Sequence, residues 1–277
     1  MGIGRKVTPA MRSNCAGADP VGSRTGAQRP RDLVVGPIDS GAVAVPSIAA
    51  RGNGVGYRFN FRDVFAQQSF LLEGLLLTLQ LSFIAMALGL TVGVTCAAVR
   101  VYGPRPARLA VPGYVETIRN TPLLVQLFLV FFGLPSLGIR LDATTASIIA
   151  LTVNLGAYAT EIVRAGLEAI PRAQIEAGVS LGLSRLQVFR YVVLMPALQV
   201  MYPALASQFI LLLLGSSVVS AISANELTAI ANTLQSTTFR AFEVYIVVTV
   251  MYLAIAVAFR GFFAALYWFV FVRGRER

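Results

Sequence analysis

A chain of 277 residues with 56% hydrophobic and only 13% charged side chains cannot hide its apolar surface inside one soluble core, and it reads as an integral membrane protein. The net charge of +10 comes from cations that flank continuous apolar runs, which fits anchoring in a bilayer and gives no case for nucleic acid. Continuous runs also exclude the alternating strands of a membrane barrel. The lack of any histidine removes the commonest general base and metal ligand, and Cys15 and Cys96 lie far apart, so no catalytic centre, metal site or disulfide framework is expected.

Residues 1–58 are rich in Gly, Pro, Ser, Ala and Arg and hold no sustained period, which reads as a disordered tail. Arg5 and Lys6 are not followed by an apolar core, so a secretory signal is the weaker reading. The remainder, 59–277, is a membrane domain. Its uncharged runs predict about five transmembrane helices in an all-α fold. The first is Gly74 to Val99 and the second Thr121 to Ile139. The third starts at Ala143 and continues past Glu161 toward Gly166. The fourth lies within Tyr191 to Asn225, and Pro196 and Pro203 move the expected span toward Pro203–Ile222. The fifth begins at Val244 and meets Arg260, which is expected to snorkel to an interface.

Loop charges orient these spans. Arg100, Arg105, Arg108 and Arg119 follow the first span. Arg164, Arg172, Arg185 and Arg190 follow the third, and Arg273, Arg275 and Arg277 follow the fifth. The positive-inside rule then puts the N-terminus outside and the C-terminus in the cytoplasm.

Between the third and fourth spans, Pro171 to Pro196 has a legible local grammar. Pro171 suits the first turn of a helix, and Gly182 suits its left-handed end. Ser184 and Gln187 stand three apart as a capping box that opens a second helix, to which Leu186 and Phe189 give an apolar face. A helix pair beneath the membrane follows, which as a bare membrane feature could simply anchor the loop.

The segment EAGVSLGLSRLQVFRYVVLMP, from Glu176, resembles the EAA loop of ATP-binding-cassette (ABC) importer permeases. Glu176, Ala177, Gly182 and Pro196 hold the family's places, Gly178 replaces the second alanine, and Met195 replaces the usual leucine. ETIRNTPLLVQLFLVFFGLP from Glu116 and NLGAYATEIVRAGLEAIPRAQ from Asn154 are similar to the polar amino acid subgroup, which includes histidine, glutamine and glutamate permeases. TLQLSF from Thr78 and SANELT from Ser223 are weaker echoes.

The resemblance implies a bacterial inner-membrane permease that moves a polar amino acid, or a close derivative, delivered by an extracytoplasmic binding protein. It implies an identical or homologous partner permease and separate ATPase subunits that hold the ATP. No G-x-x-x-x-G-K-[ST] occurs in this chain, which is expected to be no enzyme itself and to carry no cofactor. The family's coupling contact with the ATPase would fall on Glu176, Ala177, Gly178, Gly182, Leu183 and Ser184.

Among the remaining polar residues, Glu116 with Arg119 and Glu161 with Arg164 are spaced to form ion pairs on helix faces. Thr121 is expected to cap the second span. Gln126, Asn154, Tyr158, Ser216 and Ser217 are candidates to line a path, although single polar groups in spans also serve as glue between helices. Where the subgroup often reads Lys-Asp-Thr-Ser, this chain reads Leu214-Gly215-Ser216-Ser217, so a charged pair is missing. The competing class is a gradient-driven secondary transporter, which would show internal repeats and midplane carboxylates. Neither is visible.

Overall fold

The structure is a computed structural model that describes residues 57–273. The expectation of a disordered tail falls outside them, except at its last two residues. Tyr57 and Arg58 belong to the folded body: the Tyr57 hydroxyl donates to Glu243 Oε2 at 2.5 Å, and the Arg58 carbonyl accepts from Arg240.

Every regular element among the described residues is helical. They are α1 (Arg62–Phe65), α2 (Gln68–Tyr102), α3 (Arg105–Arg119), α4 (Leu123–Ser136), α5 (Ala143–Glu168), α6 (Arg172–Ser180), α7 (Arg185–Ile222), α8 (Leu227–Thr238) and α9 (Ala241–Val272). Four of them, α2, α5, α7 and α9, are long and apolar enough to cross a membrane.

The expected second span takes a different form. Its helix α4 rises only about 21 Å, short of the roughly 30 Å of hydrocarbon in a bilayer. It meets α3 at 108°, and only the two together reach the length and apolarity of a span. The break falls at Asn120-Thr121-Pro122, where Pro122 has no amide hydrogen and Thr121 must stay extended before it. Thr121 does not cap α4: its hydroxyl donates backward to the Thr117 carbonyl at 2.9 Å.

The expected fourth span is also longer at its start. No helix end separates Arg185 from Pro203, because α7 runs through both prolines. A π-helical stretch at Val188–Val193 precedes Pro196 and loosens the helix where the proline ring intrudes. The second helix of the expected loop pair is therefore the foot of α7. The fifth span likewise continues past Arg260 to Val272.

The core forms where α2 and α5 run side by side in the same direction. Gly89 lies against Leu155 and Gly93 against Ala159, while Gly156 faces Val92 and the Tyr114 hydroxyl. A Cβ on Gly93 would stand 2.5 Å from that of Ala159. Such small-residue contacts let two backbones approach closely and gain dispersion contact where lipid offers no hydrophobic drive. α7 crosses antiparallel to α5, with Gly166 on Met201.

A second cluster sits at the end of the bundle that carries α8. Val64, Leu71, Leu227, Ala231, Leu234, Val244 and Val248 pack together there. Two fully buried carboxylates tie this end. Glu226 caps α8 by accepting from the Thr228 and Ala229 amides at 2.9 Å each, and it also accepts from the Tyr252 hydroxyl at 2.8 Å. Burial pushes the Glu226 carboxyl above its ordinary value, while these donors pull it down.

Gly93→Ala overpacks the α2–α5 seam and is expected to cost about 1–3 kcal/mol, read as a lower thermal midpoint in detergent. Gly113→Ala, whose added Cβ meets nothing within 4 Å, is expected to leave the midpoint unchanged or raised.

Candidate functional site

The break between α3 and α4 interrupts the helical ladder: the Ile118 carbonyl keeps only long bonds from the Thr121 amide at 3.4 Å and hydroxyl at 3.3 Å, a shortfall that lipid cannot relieve. Gln126 relieves it. Its Nε2 donates to the Ile118 carbonyl at 2.7 Å and to the Thr121 carbonyl at 3.0 Å, and its Oε1 accepts from Asn154 Nδ2 at 3.0 Å. One buried amide thus closes the break and fastens it to α5.

The break sets Arg119 beside the middle of α5. The Arg119 guanidinium lies 5.3 Å from the Tyr158 ring centroid, in a cation–π geometry. Tyr158 falls about 22 Å along α5 from Ala143, so this cation stands well inside the length of the bundle. Arg119 and Tyr158 together border three adjoining hollows. The largest, 670 Å³, is also lined by Asn120, Asn154, Gln208 and Gly215. The second, 600 Å³, runs along α5 and α7 toward the α6 end, past Arg164 and Gly166. The third, 380 Å³, is bordered by Arg100, Glu116 and Glu161. A polar groove therefore follows one face of α5 from Asn154 to Arg164.

Below Arg119 the groove is edged by an ion-pair chain. Arg100 on α2 reaches Glu161 at 2.6 Å, Arg164 meets the same carboxylate at 2.7 Å, and Arg164 also contacts Glu168. Two arginines and two glutamates compensate one another, and the chain clamps α2 to α5.

At that end of the bundle α6 projects as a tip. Its C-terminus is closed by two backbone hydrogen bonds, Gly182 N to the Val179 carbonyl at 2.9 Å and Leu183 N to the Gly178 carbonyl at 3.3 Å. Gly182 takes φ +79, which a side chain would strain. Ser184 and Gln187 then form a reciprocal capping box that starts α7. Glu176 and Ala177 are exposed, and Val179, Leu181 and Leu186 hold 57%, 81% and 75% of their surface open beside them.

Residues 89–268 match the protein family described as the binding-protein-dependent transport system inner membrane component. The chain belongs to that family. The relatives of this inner-membrane component include the probable glutamine ABC transporter permease protein GlnM of Bacillus subtilis. It is 34% identical over 198 residues, which are 72% of this chain and 92% of the relative. The glutamine transport system permease protein GlnP of Escherichia coli is 34% identical over 200 residues, 72% of this chain and 91% of that one. A solved structure of an amino acid ABC transporter with histidines superposes with a TM-score of 0.72 at 36% identity, covering 76% of this chain and 98% of that one.

On this permease the residues singled out from sequence separate into groups. Asn154 and Tyr158 line the groove. Gln126 does not: it is 7% exposed and occupied by the break. Ser216 is fully buried with its hydroxyl on the Leu213 carbonyl, and Ser217 bonds the Leu214 carbonyl, so both close the tight turn at the end of α7 and border none of the three hollows. Glu161 and Arg164 pair, joined by Arg100 and Glu168, which sequence spacing did not bring in.

Glu116 and Arg119 do not pair. Arg119 lies over the Tyr158 ring instead, and Glu116 has no ionic partner among the described residues. Gly178 also departs from its expected place. It is buried against Val188 and Val192 of α7, where a Cβ would stand 3.2–3.3 Å from their methyl groups, so it seats α6 on α7. Asn120 was not singled out as a groove residue, although the Asn-Thr-Pro run is itself a breaker signal.

Gln126→Leu removes the donor to the Thr121 carbonyl, the short bond to the Ile118 carbonyl and the acceptor of the Asn154 amide. It is expected to cost about 1–3 kcal/mol of stability, read as a lowered thermal midpoint. Gln208→Leu, whose side chain has no hydrogen bond among the described residues, is expected to leave the midpoint unchanged and to alter transport instead.

Proposed function

We propose that this permease carries a polar amino acid, or a close derivative, through the membrane in an importer driven by separate ATPase subunits. The observation that carries the reading is the pairing of a rigidly capped, solvent-facing tip with a polar groove that leads toward it. The two relatives described above are named for glutamine, which points the same way.

In this reading the α6 end is cytoplasmic. Arg100, Arg105, Arg108, Arg172, Arg185, Arg190 and Arg273 lie at that end, and the positive-inside rule supports the assignment. The N-terminus is then outside and the C-terminus inside. Arg119 drops out of the loop count, because it lies within the bundle. The tip docks on the ATPase, which holds the ATP. Glu176 supplies the charge, Ala177 the close approach, and Leu181 and Leu186 the apolar contact. Gly182, Leu183 and Ser184 fix the turn, and Gly178 transmits the contact to α7 from within the chain. A second permease, identical or homologous, completes the path across the bilayer, and an extracytoplasmic binding protein loads it. The groove bordered by Arg119, Asn154 and Tyr158 is this chain's share of that path. The gradient-driven alternative gains no observation, since no paired midplane carboxylates face one another in the groove.

Glu176→Arg combined with Leu181→Asp changes two exposed side chains and touches no packing. The variant is expected to insert and to melt like the parent, to lose its ATPase on purification, and to take up amino acids only at background. Uptake at the parental rate would sink the coupling assignment.

A further inference from the structure

The 670 Å³ cavity has an unbalanced inventory. Among its lining residues Arg119 is the only charge, and no carboxylate is present. The other polar groups are the amides of Asn120, Asn154 and Gln208 and the hydroxyls of Thr121 and Tyr158. Asn154 is the only one of the three amides committed to a partner across helices. Glu116, which has no ionic partner among the described residues, borders the neighbouring 380 Å³ hollow and not this cavity. Glu161 is neutralised by two arginines.

The wall opposite the break adds a second observation. Gly215, near the end of α7, lines the same cavity, and a Cβ built there would meet only Leu123 Cδ2, at 3.8 Å. Room therefore exists at this position for a side chain that would point an acid into the cavity, and the chain leaves it empty. Its φ of −68 is ordinary helix, so neither backbone strain nor crowding explains the glycine.

We propose that this cavity binds a neutral polar amino acid by its α-carboxylate on Arg119 and turns away cationic amino acids, with Gly215 the wall position that sets this selection. The inference rests on the importer reading above. The physical reason is charge balance. A zwitterion brings one carboxylate to one guanidinium, and its ammonium finds amide and hydroxyl oxygens. A lysine or arginine side chain brings a further cation into a space lined by Arg119 and by no carboxylate, where the two like charges repel.

The test measures binding of labelled glutamine, lysine and arginine to the purified permease–ATPase complex without the binding protein, so that the cavity's own preference is read. Glutamine is expected to bind at least about tenfold tighter than either cation. Gly215→Asp is expected to erase or invert that ratio, Gly215→Asn to keep it, and Arg119→Gln to weaken glutamine most. Glu116→Gln is expected to leave the order unchanged.

Equal affinities in the parent would overturn the proposal. So would an order that Gly215→Asp leaves intact in a complex of parental thermal midpoint, or a complete lack of binding to the complex. Uptake with the binding protein separates the two levels. ATP-driven import of a cationic amino acid refutes the selection and keeps the importer, whereas failure to import any amino acid with an active ATPase refutes the importer reading itself.

Discussion

A helix broken within an apolar body must find partners for the carbonyls it strands, because hydrocarbon offers none. The junction of α3 and α4 obeys this constraint through one side chain. Gln126 donates to Ile118 and Thr121 and accepts from Asn154, so the break, its repair and its attachment to α5 are a single hydrogen-bonded unit. Everything in the groove depends on it. Arg119 is the last residue of α3, with its guanidinium on the Tyr158 ring, and the space beside Asn120 opens where the helix stops.

The second determinant is closeness. Gly89 and Gly93 let α2 lie almost on the backbone of α5, and Gly156 does the same from the other side. The parallel pair then arrives at the α6 end in register, with Arg100 in reach of Glu161. An ion pair of this kind contributes less to net stability than to geometry, since desolvating the charges offsets much of their attraction. Its consequence here is that Glu161 is spent on two arginines. Arg119 is the one charged residue that lines the large cavity.

The α6 tip divides its residues between inside and outside. Ile175 and Gly178 face the protein, and Gly178 brings α6 onto Val188 and Val192 at the foot of α7. Glu176, Ala177 and Leu181 face out. The outer residues are joined to α7 through a turn closed by two backbone hydrogen bonds and a capping box. α7 is also the helix that brings Gln208 and Gly215 to the cavity. Tip and cavity are joined by one continuous element.

Much of this was written locally. Apolar run length determined the class and the long helices, because burial in a bilayer depends on a residue's chemistry and its near neighbours alone. Gly182, Ser184 and Gln187 determined the tip, because caps act over three or four residues, and the Glu161–Arg164 pair has the same short range. The tertiary structure decided whatever required two distant segments to meet. It carried α7 through Pro196 and Pro203, which local rules treat as breakers, with a loosened π-helical turn ahead of the first. It turned Gln126 from a path residue into a clasp, separated Glu116 from Arg119, and set Gly178 inward. Hydropathy and capping are properties of a segment, but the direction a side chain faces on a packed helix is a property of its neighbours, and those come from elsewhere in the chain.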